Sequence, residues 1–193
     1  MPGHSAGIII RELTEQDTEA FLALKRRGLR TDPDAFVASL EDDASSYPEE
    51  VSERLRHASV ASGDMVLGAF APHLVGIIAM TQDKRTKRQH KADLHGMYIV
   101  PEFRGRGLGK TLLAASLARA QHMQGLEEIQ LIVAEHNHEA VGLYERCGFL
   151  CVWTERRALK CGDHYVDAHH MILALTSRGA SPAPEPPASS LRS

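Results

Sequence analysis

The chain has 193 residues, 43% of them apolar and 24% charged, which suits one globular domain with a sizeable core. Its net charge of −3 is too near neutral for a polyanion binder, so nucleic acid is not an expected partner. No segment approaches the ~18 apolar residues of a membrane span, and the first residues lack the pattern of a signal peptide. A soluble cytoplasmic protein that engages no membrane is expected.

The first strand is expected over residues 7–13, around Ile8-Ile9-Ile10. Thr14 or Asp17 can cap a helix carrying Phe21, Leu22, Leu24 and Leu29, closed by Gly28 or by the Asp32-Pro33 step. A second helix starts at Tyr47-Pro48-Glu49, with proline in the first turn and acids near the positive end of the dipole. Residues 65–71 and 74–81 are short apolar runs joined across Pro72-His73, which reads as an antiparallel hairpin. A basic loop over 84–91 leads to a strand over 93–100, then a glycine-rich turn and a helix over 107–124 stopped by Gly125. Residues 128–134 alternate as a strand, and Asn137 caps a short helix ending before Gly148. Two last strands, 149–159 and 166–175, flank the turn Cys161-Gly162-Asp163-His164. The order is that of a mixed α/β domain around one sheet, over residues 1–175. Four of the nine prolines fall in residues 176–193, which reads as a disordered Pro/Ala/Ser-rich tail.

The informative segment is Ile99-Val100-Pro101-Glu102-Phe103-Arg104-Gly105-Arg106-Gly107-Leu108-Gly109-Lys110. A strand running through glycines into a helix N-terminus exposes backbone N–H groups to a bound anion, and glycine lets them approach it closely. Arg104, Arg106 and Lys110 add full charges, so a diphosphate ligand fits. A Walker A loop ending at Gly109-Lys110-Thr111 would need glycine at Arg104, which disfavours a nucleoside-triphosphate enzyme. A dinucleotide fingerprint starting at Gly105 would need glycine at Lys110.

What remains is Arg-x-x-Gly-x-Gly, followed downstream by Asn-His-Glu-Ala-Val-Gly-Leu-Tyr-Glu-Arg-Cys-Gly-Phe over residues 137–149. This pair of motifs, in this order, resembles the GNAT family of N-acetyltransferases. The resemblance implies an α/β fold with a single mixed, mostly antiparallel sheet flanked by helices, and acetyl-CoA as co-substrate. It implies that Met97, Tyr98 and Ile99 offer backbone bonds to the pantetheine arm. Arg104, Gly105, Arg106, Gly107, Leu108, Gly109 and Lys110 would surround the pyrophosphate. Asn137 would contact the cofactor, although a helix N-cap accounts for the same residue. Tyr144 would protonate the departing thiolate; a core tyrosine beside Leu143 and Phe149 is the plain alternative. The acceptor is an amine, on a small molecule or a protein, and such proteins commonly form homodimers through the last strands.

The general base is not fixed by these motifs. Relatives that acetylate protein N-termini carry a glutamate five residues before the asparagine, where this chain has Ile132. Asp93 and His95, on one face of the strand before the loop, and Glu135 or His136 are the substitutes. That gap leaves open a non-catalytic acyl-CoA sensor. Residues 31–50 hold seven acids and no Lys or Arg, a rim that would suit a cationic amine, although a solvated loop explains the same composition. Eleven histidines show no ligand spacing, and no metal is expected. The three cysteines, Cys147, Cys151 and Cys161, form no CxxC pair and point to no disulfide framework.

Overall fold

The computed structural model describes residues 7–33 and 47–175. Most of the acidic segment and the expected tail lie outside the described residues. The elements run β1 (Ile9–Glu12), α1 (Thr18–Thr31), α2 (Pro48–His57), β2 (Asp64–Phe70), β3 (Leu74–Gln82), β4 (Lys91–Ile99), α3 (Leu108–Ala120), β5 (Glu128–Ala134), α4 (His138–Arg146), β6 (Leu150–Cys161) and β7 (His164–Ala174). The strands form one seven-stranded sheet in the order β1-β2-β3-β4-β5-β7-β6. Every pairing is antiparallel except β4 with β5.

Local chemistry sets the helix bounds. Asp17 accepts from the Thr14 backbone N–H at 2.9 Å, which completes a capping box before α1. Arg11 holds the same carboxylate with two bonds of 2.7 and 2.8 Å, and keeps its pKa down at about 2. Gly28 does not end the helix: α1 runs to Thr31, because Asp32 N–H still reaches the Gly28 carbonyl at 2.8 Å. Pro48 opens α2, with Glu49 and Glu50 in the first turn and Arg54, Arg56 and His57 in the last, as the dipole favours. Helix α3 ends at Ala120, four residues short of the expected bound; Gly125 instead turns the chain with a φ of 70°.

The expected exposed basic loop over 84–91 is tied down. Arg85 and Arg88 both bind Asp83, Lys84 faces Asp64, and Lys91 reaches Glu128 at 2.5 Å.

Two features of β4 position everything that follows. First, β4 pairs with β5 over three residue pairs only, Lys91–Glu128, Ala92–Ile129 and Asp93–Gln130. Beyond Asp93 the strands part. Second, Tyr98 pairs with Ile77 and His95 with Ala79, so two residues, Gly96 and Met97, stand opposite Ile78. This is a β-bulge, and Gly96 at φ 61° supplies its left-handed residue. The extra residue breaks the simple alternation, and His95 and Tyr98 come to the same face.

That face is the one α1 packs on, since the Tyr98 hydroxyl meets Thr31 Oγ1 at 3.0 Å. Met97 and Ile99 project to the other face, where a Cβ on Gly109 of α3 would touch both. Leu112 and Leu113 of α3 join Leu67, Ile78, Met80, Ile129 and Met171 in a fully buried core there.

Candidate active site

The parting of β4 from β5 opens a cavity of about 380 Å³, walled by the free edge of β4, the loop after it, and the helices α3 and α4. Met97, Tyr98, Ile99, Arg104, Gly105, Gly107, Leu108, Gly109, Lys110, Asn137 and Tyr144 all line it. The two motifs, separate in sequence, therefore face one space. Arg106 does not line it; its guanidinium lies 5.8 Å over the Phe103 ring on the surface. His95 does not line it either, and stands on the α1 face of the sheet.

The three motif glycines act for two reasons. Gly105 and Gly107 have φ of 71° and 79°, and a Cβ on either would meet nothing within 4 Å. They set the turn and leave the backbone open to a ligand. Gly109 is tight instead: a Cβ there would come within 3.3 Å of Met97 and 3.4 Å of Ile99 and Leu143. It lets α3 lie close on β4 and α4.

Among the described backbone hydrogen bonds the α3 ladder begins with Thr111 N–H on the Gly107 carbonyl at 3.0 Å. The amides of Leu108, Gly109 and Lys110 precede that bond and point from the positive end of the helix. Lys110 adds its charge.

Arg104 is differently engaged. Its Nη1 and Nη2 bind both Asp32 oxygens, at 3.1 and 2.8 Å, and its Nε donates to the Ile99 carbonyl at 2.9 Å. The Asp32 carboxylate holds the Arg104 pKa up, and Arg104 holds that of Asp32 down. The guanidinium ties the end of α1 to the loop, and the Ile99 carbonyl is already occupied.

Asn137 caps α4, its Oδ1 accepting from Ala140 N–H at 3.2 Å. That use of the oxygen leaves the amide NH2 as its donor toward the cavity.

Tyr144 lies two turns further along, buried, with its hydroxyl donating to Met97 Sδ at 3.5 Å. Burial pushes its phenol up to about 12. It therefore stays a neutral donor throughout the physiological range. Phe149, 1% exposed, packs its ring edgewise on Tyr144 at 5.6 Å between centroids. Such a pair contributes about 1 kcal/mol beyond area burial. The Gly-Phe end of the second motif thus buttresses the tyrosine.

Sequence reading missed Asp32, Phe103, Glu139, Ala140, Leu143 and Arg146 as lining residues. Ala140 and Tyr144 follow Asn137 at helical spacing, a signal that was legible. Asp32 carried no local signal.

On the opposite face His95 Nε2 lies 3.2 Å from Thr81 Oγ1. Its side chain is in contact with solvent but sits in a crowded hollow. Desolvation, and then the charge of Arg54, lower its pKa. Glu135 and His136 line a second cavity, of about 630 Å³, at the end of β5 with His138, His164 and Asp167. No group of three or more metal-ligating side chains occurs among the described residues.

The model of the Acetyltransferase (GNAT) family matches residues 26–149, and the chain belongs to that family. It is 33% identical over 127 residues to a mycothiol acetyltransferase of Salinispora arenicola, which covers 62% of this chain and 41% of that protein. The chain thus spans about two fifths of that relative. It is 24% identical over 165 residues to an L-amino acid N-acetyltransferase of Escherichia coli, covering 85% of this chain and 96% of the other. A GNAT-family acetyltransferase of Streptococcus pneumoniae superposes with a TM-score of 0.77 at 28% identity, over 88% of this chain and 99% of its own.

The chain carries a domain of the Acetyltransferase (GNAT) family, and the cavity suits acetyl-CoA. Open amides and Lys110 would suit a pyrophosphate, and Met97, Leu143 and Ala140 give the cavity apolar walls. No helix among the described residues is long and apolar enough to cross a membrane.

Proposed function

We propose that this chain transfers the acetyl group of acetyl-CoA directly to a primary amine, with Tyr144 as general acid and His95 as general base. The observation that carries the reading is the two-sided arrangement at the strand split. The buried phenol of Tyr144 faces the cofactor cavity, while His95 stands on the other face of the same strand. The neutral amine nitrogen bonds to the thioester carbonyl carbon, and the carbon–sulfur bond breaks. The amine's proton passes to His95, and the departing sulfur takes a hydrogen bond and then a proton from Tyr144. A β4 backbone N–H near the bulge would steady the carbonyl oxygen as charge develops. The lowered pKa of His95 keeps its imidazole neutral and able to accept.

The name of the E. coli relative supports an amine as the acceptor. The thiols of Cys147 and Cys151 suit a reducing compartment, and we place the reaction in the cytoplasm.

The test is release of free thiol from acetyl-CoA with pooled amines (polyamines, aminoglycosides, amino acids, peptides) beside a blank without acceptor. Release above the blank is expected in at least one pool. Stabilisation by acetyl-CoA with no release from any pool would replace this reading with a non-catalytic acyl-CoA sensor.

A further inference from the structure

The face of the sheet that carries His95 is covered by α1 over its first strands, and further on, among the described residues, it carries exposed side chains. Register shows what the open part presents. Asp93 pairs with Gln130 in the last contact between β4 and β5, and Gln130 Nε2 donates to Asp93 Oδ1 at 2.6 Å. Two residues on, His95 is level with Ile132 across the start of the split. Ile132 pairs with His170, and His170 pairs with Trp153. One transverse row therefore crosses four strands on one face: His95, Ile132, His170 and Trp153.

The row beyond the split is apolar and in contact with solvent. Ile132 is 51% exposed, Trp153 52% and the neighbouring Leu150 69%. Trp153 and His170 stack, ring centroids 4.1 Å apart and planes 19° from parallel. Glu155 fixes the imidazole from behind, its Oε2 2.8 Å from His170 Nε2. With strands ~4.8 Å apart, the shelf from Ile132 to Trp153 is about 10 Å wide. Isolated exposed apolar side chains are ordinary, whereas three on one contiguous shelf ending at the split are the kind of patch that binding surfaces carry.

We propose that this shelf is the acceptor platform, and that the acceptor is a primary amine carried on a flat apolar body that lies over Ile132 and the Trp153–His170 stack. The inference rests on the acetyl-transfer reading above and narrows its acceptor. The amine points along the row to His95 and the split, across β4 from the cavity side on which Met97 lies. Asp93 and Glu155 on the shelf attract an arriving ammonium. Arg54 and Lys25 face His95 from the helical side, so the body of the acceptor is directed away from them over the apolar strands.

The chain has a single tryptophan, so its fluorescence reports on this surface alone. The experiment follows Trp153 emission and acetyl transfer with 2-phenylethylamine and with n-butylamine, in wild type, Trp153→Ala and Trp153→Phe. A saturable emission change with 2-phenylethylamine in the presence of coenzyme A is expected, with a midpoint that tracks its KM. The kcat/KM ratio of the aromatic over the alkyl amine should fall about tenfold in Trp153→Ala. Trp153→Phe should keep most of it.

Turnover of both amines with emission unmoved, or with a ratio indifferent to Trp153→Ala, overturns the platform and leaves acetyl transfer standing. An emission change without turnover of any amine shows an amine-binding shelf but removes the transfer reading, and the acceptor role with it. Neither turnover nor emission change removes both. A dimer in sedimentation that Trp153→Ala converts to monomer, with emission insensitive to amine, assigns the shelf to a second copy of the chain and overturns the proposal.

Discussion

Asp32 grips the guanidinium of Arg104 with both carboxylate oxygens, across 72 positions of sequence. The first residue of the pyrophosphate motif is thereby turned toward the end of α1. Tyr98 joins the same knot, its hydroxyl on Thr31 Oγ1 and its ring 5.5 Å below the Arg104 guanidinium. Asp32→Asn keeps the shape and removes one partner's charge. It should raise the KM for acetyl-CoA several-fold and cost roughly 1 kcal/mol of stability, since the pair is only partly shielded from solvent. Thiol-release kinetics and thermal melting check the two effects. An Arg104 that acted only by touching the pyrophosphate would leave Asp32→Asn with unchanged kinetics.

The motif glycines should separate in the same assays. Gly107→Asp brings a side chain to a residue with φ 79° and a carboxylate into the anion site. Isothermal titration should show acetyl-CoA binding abolished. Gly109→Ala puts a methyl 3.3 Å from Met97 Cε, and overpacking of this kind costs about 1–3 kcal/mol. It should lower the melting temperature more than it weakens binding. Equal affinity in Gly107→Asp and wild type would remove the loop from the cofactor site.

Tyr144→Phe deletes a hydroxyl and no packing. It should lower kcat by ~10²-fold while KM for acetyl-CoA barely moves. The raised phenol pKa also has a stability consequence. Burial favours the protonated form in the folded state, so stability is fully present below the unfolded value of ~10. It declines as pH rises from there through about 12. Tyr144→Phe should flatten that alkaline decline in denaturant melts across the same range.

His95 should appear in the pH profile. Its folded pKa lies below the usual value because of desolvation and Arg54. The acid limb of kcat/KM should therefore fall at a pH under ~6.5. His95→Gln should remove that limb and lower kcat/KM by at least ~10²-fold. A limb that survives in His95→Gln would assign the base elsewhere.

Much of this arrangement was legible in the residues. The strand over 128–134 is found with those bounds, because Ile129, Leu131 and Val133 alternate without interruption. The glycine spacing marks the turn before α3, where Gly105 and Gly107 take the positive φ that glycine allows. Longer-range relations were hidden. No local pattern says that Asp32 will take Arg104, and the knot exists only once α1 lies across β4. Gly96 did carry a signal, since a lone glycine inside a strand marks a bulge. Its consequence, His95 and Tyr98 on one face, needed the register. The basic run over 84–91 is largely exposed, as its composition suggests, but its ties to Asp64 and Glu128 reach other strands and left no local signal.

Three residue pairs between β4 and β5 are all the strand pairing that joins one half of the sheet to the other. Strands β1 to β4 and strands β5 to β7 are each antiparallel units with long registers of their own, so the joint between them is where sub-global opening should start. The cavity lies beyond that joint, with walls from β4 and α3 on one side and α4, which follows β5, on the other. A ligand seated there adds its binding free energy to the weakest seam of the domain, about 2.7 kcal/mol at a hundred times its Kd. Amide exchange at residues 91–93 and 128–130 should slow when acetyl-CoA is present. The acyl donor then makes two strand systems one cooperative unit.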